Sequence, residues 1–127
     1  MILKVLSVDD SSTIVKHLAY ILKDIHGVNW VGHASSIKEA EAMIITNKPD
    51  VILLDIMVND ESGFDLLDSI KRNNKKIEVI MLSNLIDCIY IKKSKTMGAF
   101  QFIDKSFEFE SIPMHLKNIY DKKFHNN

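Results

Sequence analysis

Five times along this chain a short apolar run is followed by a segment with apolar residues at helical spacing. The runs are 2–8, 28–34, 51–55, 77–82 and 99–103. The segments between and after them are 12–26, one opened by Ser35-Ser36 and containing Ala40, Met43 and Ile44, then 62–73, 86–97 and 107–123. Few architectures accept that alternation: a parallel sheet with right-handed crossovers and helices on both faces satisfies it. The run Val51-Ile52-Leu53-Leu54 has no polar break and ends on Asp55, which suits a strand buried on both faces. Asn47-Lys48-Pro49-Asp50 before it is turn chemistry. Ile14, Leu18, Ile21, Leu22 and Ile25 form the apolar stripe of the first helix, which Gly27 is expected to end. Ser36 and Glu39 read as a capping box for the second. In the last helix Phe107, Ile112, Leu116 and Ile119 make the expected inner face. Pro113 implies either a start near Glu110–Pro113 or a kink.

Length and charge narrow the class. The 127 residues read as one domain, 1–127, of ordinary apolar (46%) and charged (26%) content. A net charge of -1 argues against a nucleic-acid surface, which needs a strongly basic domain. The lone Cys88 can form no internal disulfide, so a reducing, cytoplasmic setting is the simpler expectation. No apolar run approaches the ~20 residues of a membrane span. Met1–Leu6 is too short for a signal peptide. His17, His26, His33, His115 and His125 show no metal-ligand spacing.

The strand ends carry the chemistry. Strand one ends in Asp9-Asp10, strand three in Asp55, strand four in Ser83 and strand five in Lys105. In a parallel sheet these ends share one edge, where open α/β sheets bind ligands. Each residue alone has a plain alternative: a helix cap for Asp9-Asp10-Ser11-Ser12 or Ser83, a solvated lysine for Lys105, a core aromatic for Phe102. Together they describe a site. Three crowded carboxylates repel, and one lysine cannot balance them. A hard divalent ion with oxygen ligands can, and Mg²⁺ uses one or two carboxylates, waters and a phosphoryl oxygen. A carboxylate beside such an ion, with a lysine and a hydroxyl nearby, is equipped to take a phosphoryl group as nucleophile.

Val8-Asp9-Asp10-Ser11, Ile52–Asp55 with Gly63 eight residues on, Ser83, Gly98-Ala99 and Lys105 together resemble the receiver domains of bacterial response regulators over essentially the whole chain. The resemblance implies a flavodoxin-like doubly wound sheet of five parallel strands in the order 2-1-3-4-5. It implies a two-component or phosphorelay switch rather than an enzyme. Asp55 would be the phosphoacceptor and Asp10 a direct Mg²⁺ ligand, with Asp9 acting mainly through water. Asp55 and the Met57 backbone carbonyl would complete the metal's protein ligands. Ser83 and Lys105 would contact the phosphoryl group, and Phe102 would occupy the aromatic switch position. The implied partners are a sensor histidine kinase or histidine phosphotransfer protein upstream and a target protein or effector domain downstream. The implied output face is helix four, strand five and helix five, with Tyr90, Lys92, Lys93, Lys95 and Gln101. The pattern leaves room for a phosphorylation-dependent dimer, and implies neither direct nucleic-acid binding nor membrane insertion.

Four features depart from that pattern. Ser106 stands where the family commonly has a proline with a cis bond, so a trans Lys105–Ser106 bond and an altered Lys105 approach are expected. Val58-Asn59 replaces the usual Met-Pro, which predicts a less restrained loop. Asn84 replaces a small residue and would crowd the phosphodonor's approach. Met57 and Leu85, both apolar, flank the path of the hydrolytic water, which predicts slow self-dephosphorylation. Three other readings compete. A degenerate receiver would bind partners independently of phosphorylation. A haloacid-dehalogenase-type hydrolase would need an aspartate where Met57 stands. A flavin site would suffer repulsion between its phosphate and Asp9-Asp10. Lys122–Asn127 follow the last helix directly, so both a stand-alone receiver and a receiver from a longer regulator fit.

Overall fold

The computed structural model describes residues 1–84 and 87–124. Five parallel strands form the main sheet: β1 (Leu3–Val8), β2 (Val28–Ala34), β3 (Val51–Asp55), β4 (Glu78–Ser83) and β5 (Gln101–Asp104). Their order is β2-β1-β3-β4-β5, as expected. Each strand is followed by a helix: α1 (Ser12–Leu22), α2 (Ile37–Asn47), α3 (Gly63–Asn73), α4 (Cys88–Thr96) and α5 (Ile112–Phe124). Among the described residues no helix is long and apolar enough to cross a membrane.

The pleat of β3 divides the core. Val51 and Leu53 pack with Leu18 and Leu22 of α1 and Leu116 and Ile119 of α5. Ile52 and Leu54 pack with Ala40 of α2 and Phe64, Leu67 and Ile70 of α3. Val51, Ile52, Leu53 and Leu54 are all essentially inaccessible, which is why this strand shows a continuous apolar run instead of alternation.

Local chemistry sets the ends of the helices. Ser11 caps α1, its Oγ accepting from the Ile14 amide at 3.4 Å, so the capping role falls to serine rather than to Asp9 or Asp10. The Glu39 amide donates to Ser36 Oγ, while Glu39 Oε1 accepts from Ser35 N, one residue earlier than a standard capping box. α5 begins at Ile112 after a short 3₁₀ turn (Phe109–Ser111), which puts Pro113 in its first turn with no amide to lose.

Two expectations need correction. α1 ends at Leu22, not at residue 26. Gly27, at φ +80°, turns the chain into β2, and its carbonyl accepts from Leu3 N at 2.7 Å. The chain must leave the helix early to bring Val28 into register with Leu3. Phe107 does not belong to the inner face: it is 88% exposed. The 3₁₀ turn presents Phe109 to the core instead, against the His17 ring at 5.7 Å between centroids. Helical spacing could not reveal a turn of different period between residues 107 and 112.

Candidate functional site

Parallel pairing puts the ends of β1, β3, β4 and β5 on one edge. Val8 is in register with Leu54, Asp55 with Leu82, and Ser83 with Asp104. The residues just past these ends are therefore neighbours in space though distant in sequence. Asp9, Asp10 and Asp55 offer carboxylate oxygens that all lie within 4.8 Å of one another. Lys105 Nζ donates to Asp55 Oδ2 at 2.8 Å and also to Asp9 Oδ2. Its side chain is 7% exposed, against 3% for Asp9 and 13% for Asp55, so the three meet largely out of water.

Backbone amides also hold the carboxylates. Asp9 Oδ1 accepts from Ser11 N at 2.7 Å. The more exposed Asp10 accepts from Asn59 N at 3.0 Å. Burial pushes the Asp55 carboxyl above its ordinary value, and the nearby Asp9 charge adds to this. The Lys105 hydrogen bond and charge and the Met57 amide pull it down without cancelling that rise. Burial alone would lower Lys105, but its hydrogen bonds to Asp55 and Asp9 and their charges outweigh it, leaving Lys105 raised. A single ammonium is thus shared by two of the three carboxylates, which leaves the cluster with a surplus of negative charge. Such a surplus of negative charge on hard oxygen donors suits a small divalent ion such as Mg²⁺.

The loop after Asp55 is tighter than expected. Met57–Val58 pair with Glu61–Ser62 in a small antiparallel ladder. Asn59 and Asp60 both take positive φ, +49° and +63°, as the two central residues of a type I′ hairpin turn require. Asn59 also donates from Nδ2 to Ser35 O at 2.8 Å, tying the turn to the loop before α2. Replacing Met-Pro by Val58-Asn59 therefore exchanges proline's rigidity for a hydrogen-bonded hairpin. Gly63 returns the chain beneath Asp55, its amide donating to Ile56 O at 2.5 Å. A Cβ there would sit 2.0 Å from the Asp55 carbonyl oxygen, so only glycine fits.

The other departures resolve as follows. No peptide bond among the described residues is cis, so Lys105–Ser106 is trans as expected. Lys105 N bonds Ser83 O at 3.1 Å and its side chain spans both acids. Ser106 Oγ donates to Asn84 Oδ1 at 3.0 Å, so the two departures hold each other. Ser83 is buried at the end of β4. Phe102, in register with Met81, is half-buried against the α2–α3–α4 side of the core. Met57 is 41% exposed beside Asp55. Leu85 lies outside the described residues.

Sequence reasoning passed over one cluster. Trp30, Ser7 and His33 form a hydrogen-bonded path ending on the Asp9 carbonyl. The available signal was Ser7, a buried hydroxyl inside an otherwise apolar strand, which must find partners.

Comparison with known proteins agrees with this architecture. Residues 5–117 match the model of the response regulator receiver domain. The sensory transduction protein LytT of Bacillus anthracis is 31% identical over 121 residues, covering 95% of this chain and 48% of that protein. The response regulator protein VraR of Staphylococcus aureus is 30% identical over 112 residues, 88% of this chain and 54% of that one. The chain thus spans about half the length of these relatives. The response regulator domain of Thermotoga maritima CheB superposes with a TM-score of 0.80 at 30% identity, covering 95% of this chain and 96% of that one. With four strand ends gathered on one acidic edge and a family match across most of its length, the chain belongs to the response regulator receiver domain family of two-component signal transduction.

Proposed function

We propose that residues 1–127 act as one phosphorylation-dependent switch in which Asp55 accepts a phosphoryl group from a phosphohistidine donor. What carries this reading is the Lys105 ammonium bonded to both Asp55 and Asp9 inside a cluster of three carboxylates. Receiver domains generally bind Mg²⁺ in an acidic pocket, and the three clustered carboxylates suit that ion: Asp10 and Asp55 would hold it directly, Asp9 mainly through water, and the Met57 carbonyl would complete the set. Mg²⁺, when bound, supplies charge neutralisation for the transferring phosphoryl oxygens.

The chain's own residues do the rest. An Asp55 carboxylate oxygen attacks phosphorus, the donor's P–N bond breaks, and its electron pair returns to the imidazole nitrogen. Lys105 follows the charge: its ammonium now faces phosphoryl oxygens as well as Asp9, and Ser83 donates its hydroxyl to the same group. Little covalent work is asked of the protein, because phosphoryl transfer depends on positioning and electrostatics. Ser83 lies two residues beyond Met81, whose register partner is Phe102, so both sit on the same face of the sheet. Movement of Ser83 toward the phosphoryl group opens room for the Phe102 ring, which changes the face made by α4, β5 and α5 and with it partner affinity. The upstream kinase or phosphotransfer protein and the downstream target, or a dimer, read those two states.

Treatment with a small phosphodonor and Mg²⁺ adds one phosphoryl group to wild-type protein by intact mass and none to Asp55→Ala. Labelling of both would defeat the assignment, and labelling of neither would favour a phosphorylation-independent binding module. Met57 offers no hydrogen bond to orient the hydrolytic water, so the label decays slowly, over minutes or longer. Met57→Asn shortens its lifetime; loss within seconds from wild type contradicts the prediction.

A further inference from the structure

Residues 30 and 33 of a regular strand face opposite sides of a sheet. In this chain they face the same side. The β1–β2 register passes from Val5↔Trp30 to Leu6↔Gly32, leaving Val31 as an extra residue, a bulge. Beyond it, His33 is in register with Ser7, and Ser7 shares its face with Val5. The bulge thus delivers an indole and an imidazole to one buried hydroxyl. Trp30 Nε1 donates to Ser7 Oγ at 2.9 Å, Ser7 Oγ lies 2.6 Å from His33 Nδ1, and His33 Nε2 lies 2.9 Å from the Asp9 carbonyl oxygen.

Donor chemistry gives this path one direction. An indole N–H only donates, so Ser7 Oγ accepts and sends its own hydrogen to Nδ1. A carbonyl only accepts, so the ring hydrogen sits on Nε2. With the imidazole in that tautomer every donor along the path has an acceptor. The last acceptor belongs to the peptide that joins Asp9 to Asp10. Asp9 N is already tied to Ala34 O at 3.0 Å. β2 therefore grips the Asp9 main chain at its amide through the strand ladder and at its carbonyl through the His33 ring.

We propose that His33, braced by Ser7 and Trp30, is a positioning residue for the acidic pair: it fixes the plane of the Asp9–Asp10 peptide and so the directions in which both carboxylates leave the backbone. This rests on the reading of the acidic pocket as a Mg²⁺ site. Groups that orient metal ligands typically affect affinity by 10–100-fold. His33→Phe keeps a ring but removes both nitrogens, and Mg²⁺ binding measured by calorimetry weakens about tenfold. A glutamine amide presents an oxygen and an N–H that can serve Ser7 and the Asp9 carbonyl, so His33→Gln recovers most of that loss. In the metal-free protein the Asp10 amide resonance, which reports the same peptide plane, moves in His33→Phe and returns toward its wild-type position in His33→Gln. Where His33→Phe does not fold, Ser7→Ala takes its place, and weakened Mg²⁺ binding with a displaced Asp10 resonance is again the expected result. Folded variants with wild-type Mg²⁺ affinity and an unmoved Asp10 amide overturn the positioning role alone. Equal losses in His33→Phe and His33→Gln overturn it as well. A wild-type protein that binds no Mg²⁺ overturns the pocket assignment and this inference with it.

Discussion

Lys105 faces two carboxylates at once, and removing one member of the group has a different sign from removing another. Taking away the ammonium strands Asp9 and Asp55 together, largely out of water. Breaking a buried pair by deleting one partner costs about 3–5 kcal/mol, and Lys105→Met in the metal-free protein is expected near the lower figure by urea denaturation. Added Mg²⁺ narrows the gap, because a divalent ion neutralises the same carboxylates. Taking away the Asp55 charge does the reverse. Its folded-state pKa is raised, chiefly by burial, so this carboxyl contributes fully to stability only below its unfolded value. That contribution is lost as pH rises through the raised one. At neutral pH the metal-free fold therefore carries an unfavourable charge, and Asp55→Asn raises the melting temperature while leaving Lys105 paired with Asp9. On acidification through the carboxyl range the advantage fades, since wild-type Asp55 is then protonated in both states. A lower melting temperature for Asp55→Asn at neutral pH would contradict the electrostatic picture. The identities of these residues were legible in the sequence because each stands at or just past a strand end. The fixed direction of the Asp9–Asp10 peptide was not, because it depends on a bulge in a strand whose apolar pattern gives no sign of one.

The hairpin between β3 and α3 is the element that distinguishes this site. Asn59 adopts φ +49°, where proline, locked near -65°, cannot follow, and its amide is the hydrogen bond to Asp10. Installing the family's common proline here, Asn59→Pro, therefore removes a donor and forces the turn to rebuild. A loss of about 2 kcal/mol in stability is expected, with weaker Mg²⁺ binding, by denaturation and calorimetry. Unchanged stability would mean that the hairpin does not hold in solution. Reading Val58-Asn59 only as the loss of Met-Pro suggested slack, whereas Asn59-Asp60 is the pair whose short polar side chains tolerate the left-handed conformation a two-residue turn needs. The strands and most helices were legible for a simpler reason. Val51–Leu54 is buried on both faces, and Ile112, Leu116 and Ile119 of the expected last-helix face reach the core while Phe107 does not. The end of α1 and the turn at Phe109 were not, because tertiary register, not local spacing, decides them.

The molecule as a whole joins a stiff acidic edge to a lightly anchored helix. Among the described residues of α4 only Ser94 is buried, and Ile89 and Ile91 are exposed. The helix rests on α3 through Tyr90 stacked on Phe64 at 6.1 Å, with Lys93 over the same ring at 4.6 Å. An element with so little buried surface moves at small cost, which suits the proposed relay from Ser83 and Phe102 to partners. Lys92, Lys93 and Lys95 stand exposed along it and Gln101 at the start of β5, as the family resemblance implied, while Tyr90 is half-buried. All of this depends on Asp55 being the group that changes state. Borohydride reduces an aspartyl phosphate to homoserine, so the decisive measurement is peptide mass mapping after phosphodonor treatment in Mg²⁺ and borohydride quenching. The account predicts homoserine at position 55 and nowhere else, absent without phosphodonor and absent in Asp55→Asn. Homoserine at Asp9, Asp10 or another carboxylate of the wild-type protein, with residue 55 unmodified, would contradict it.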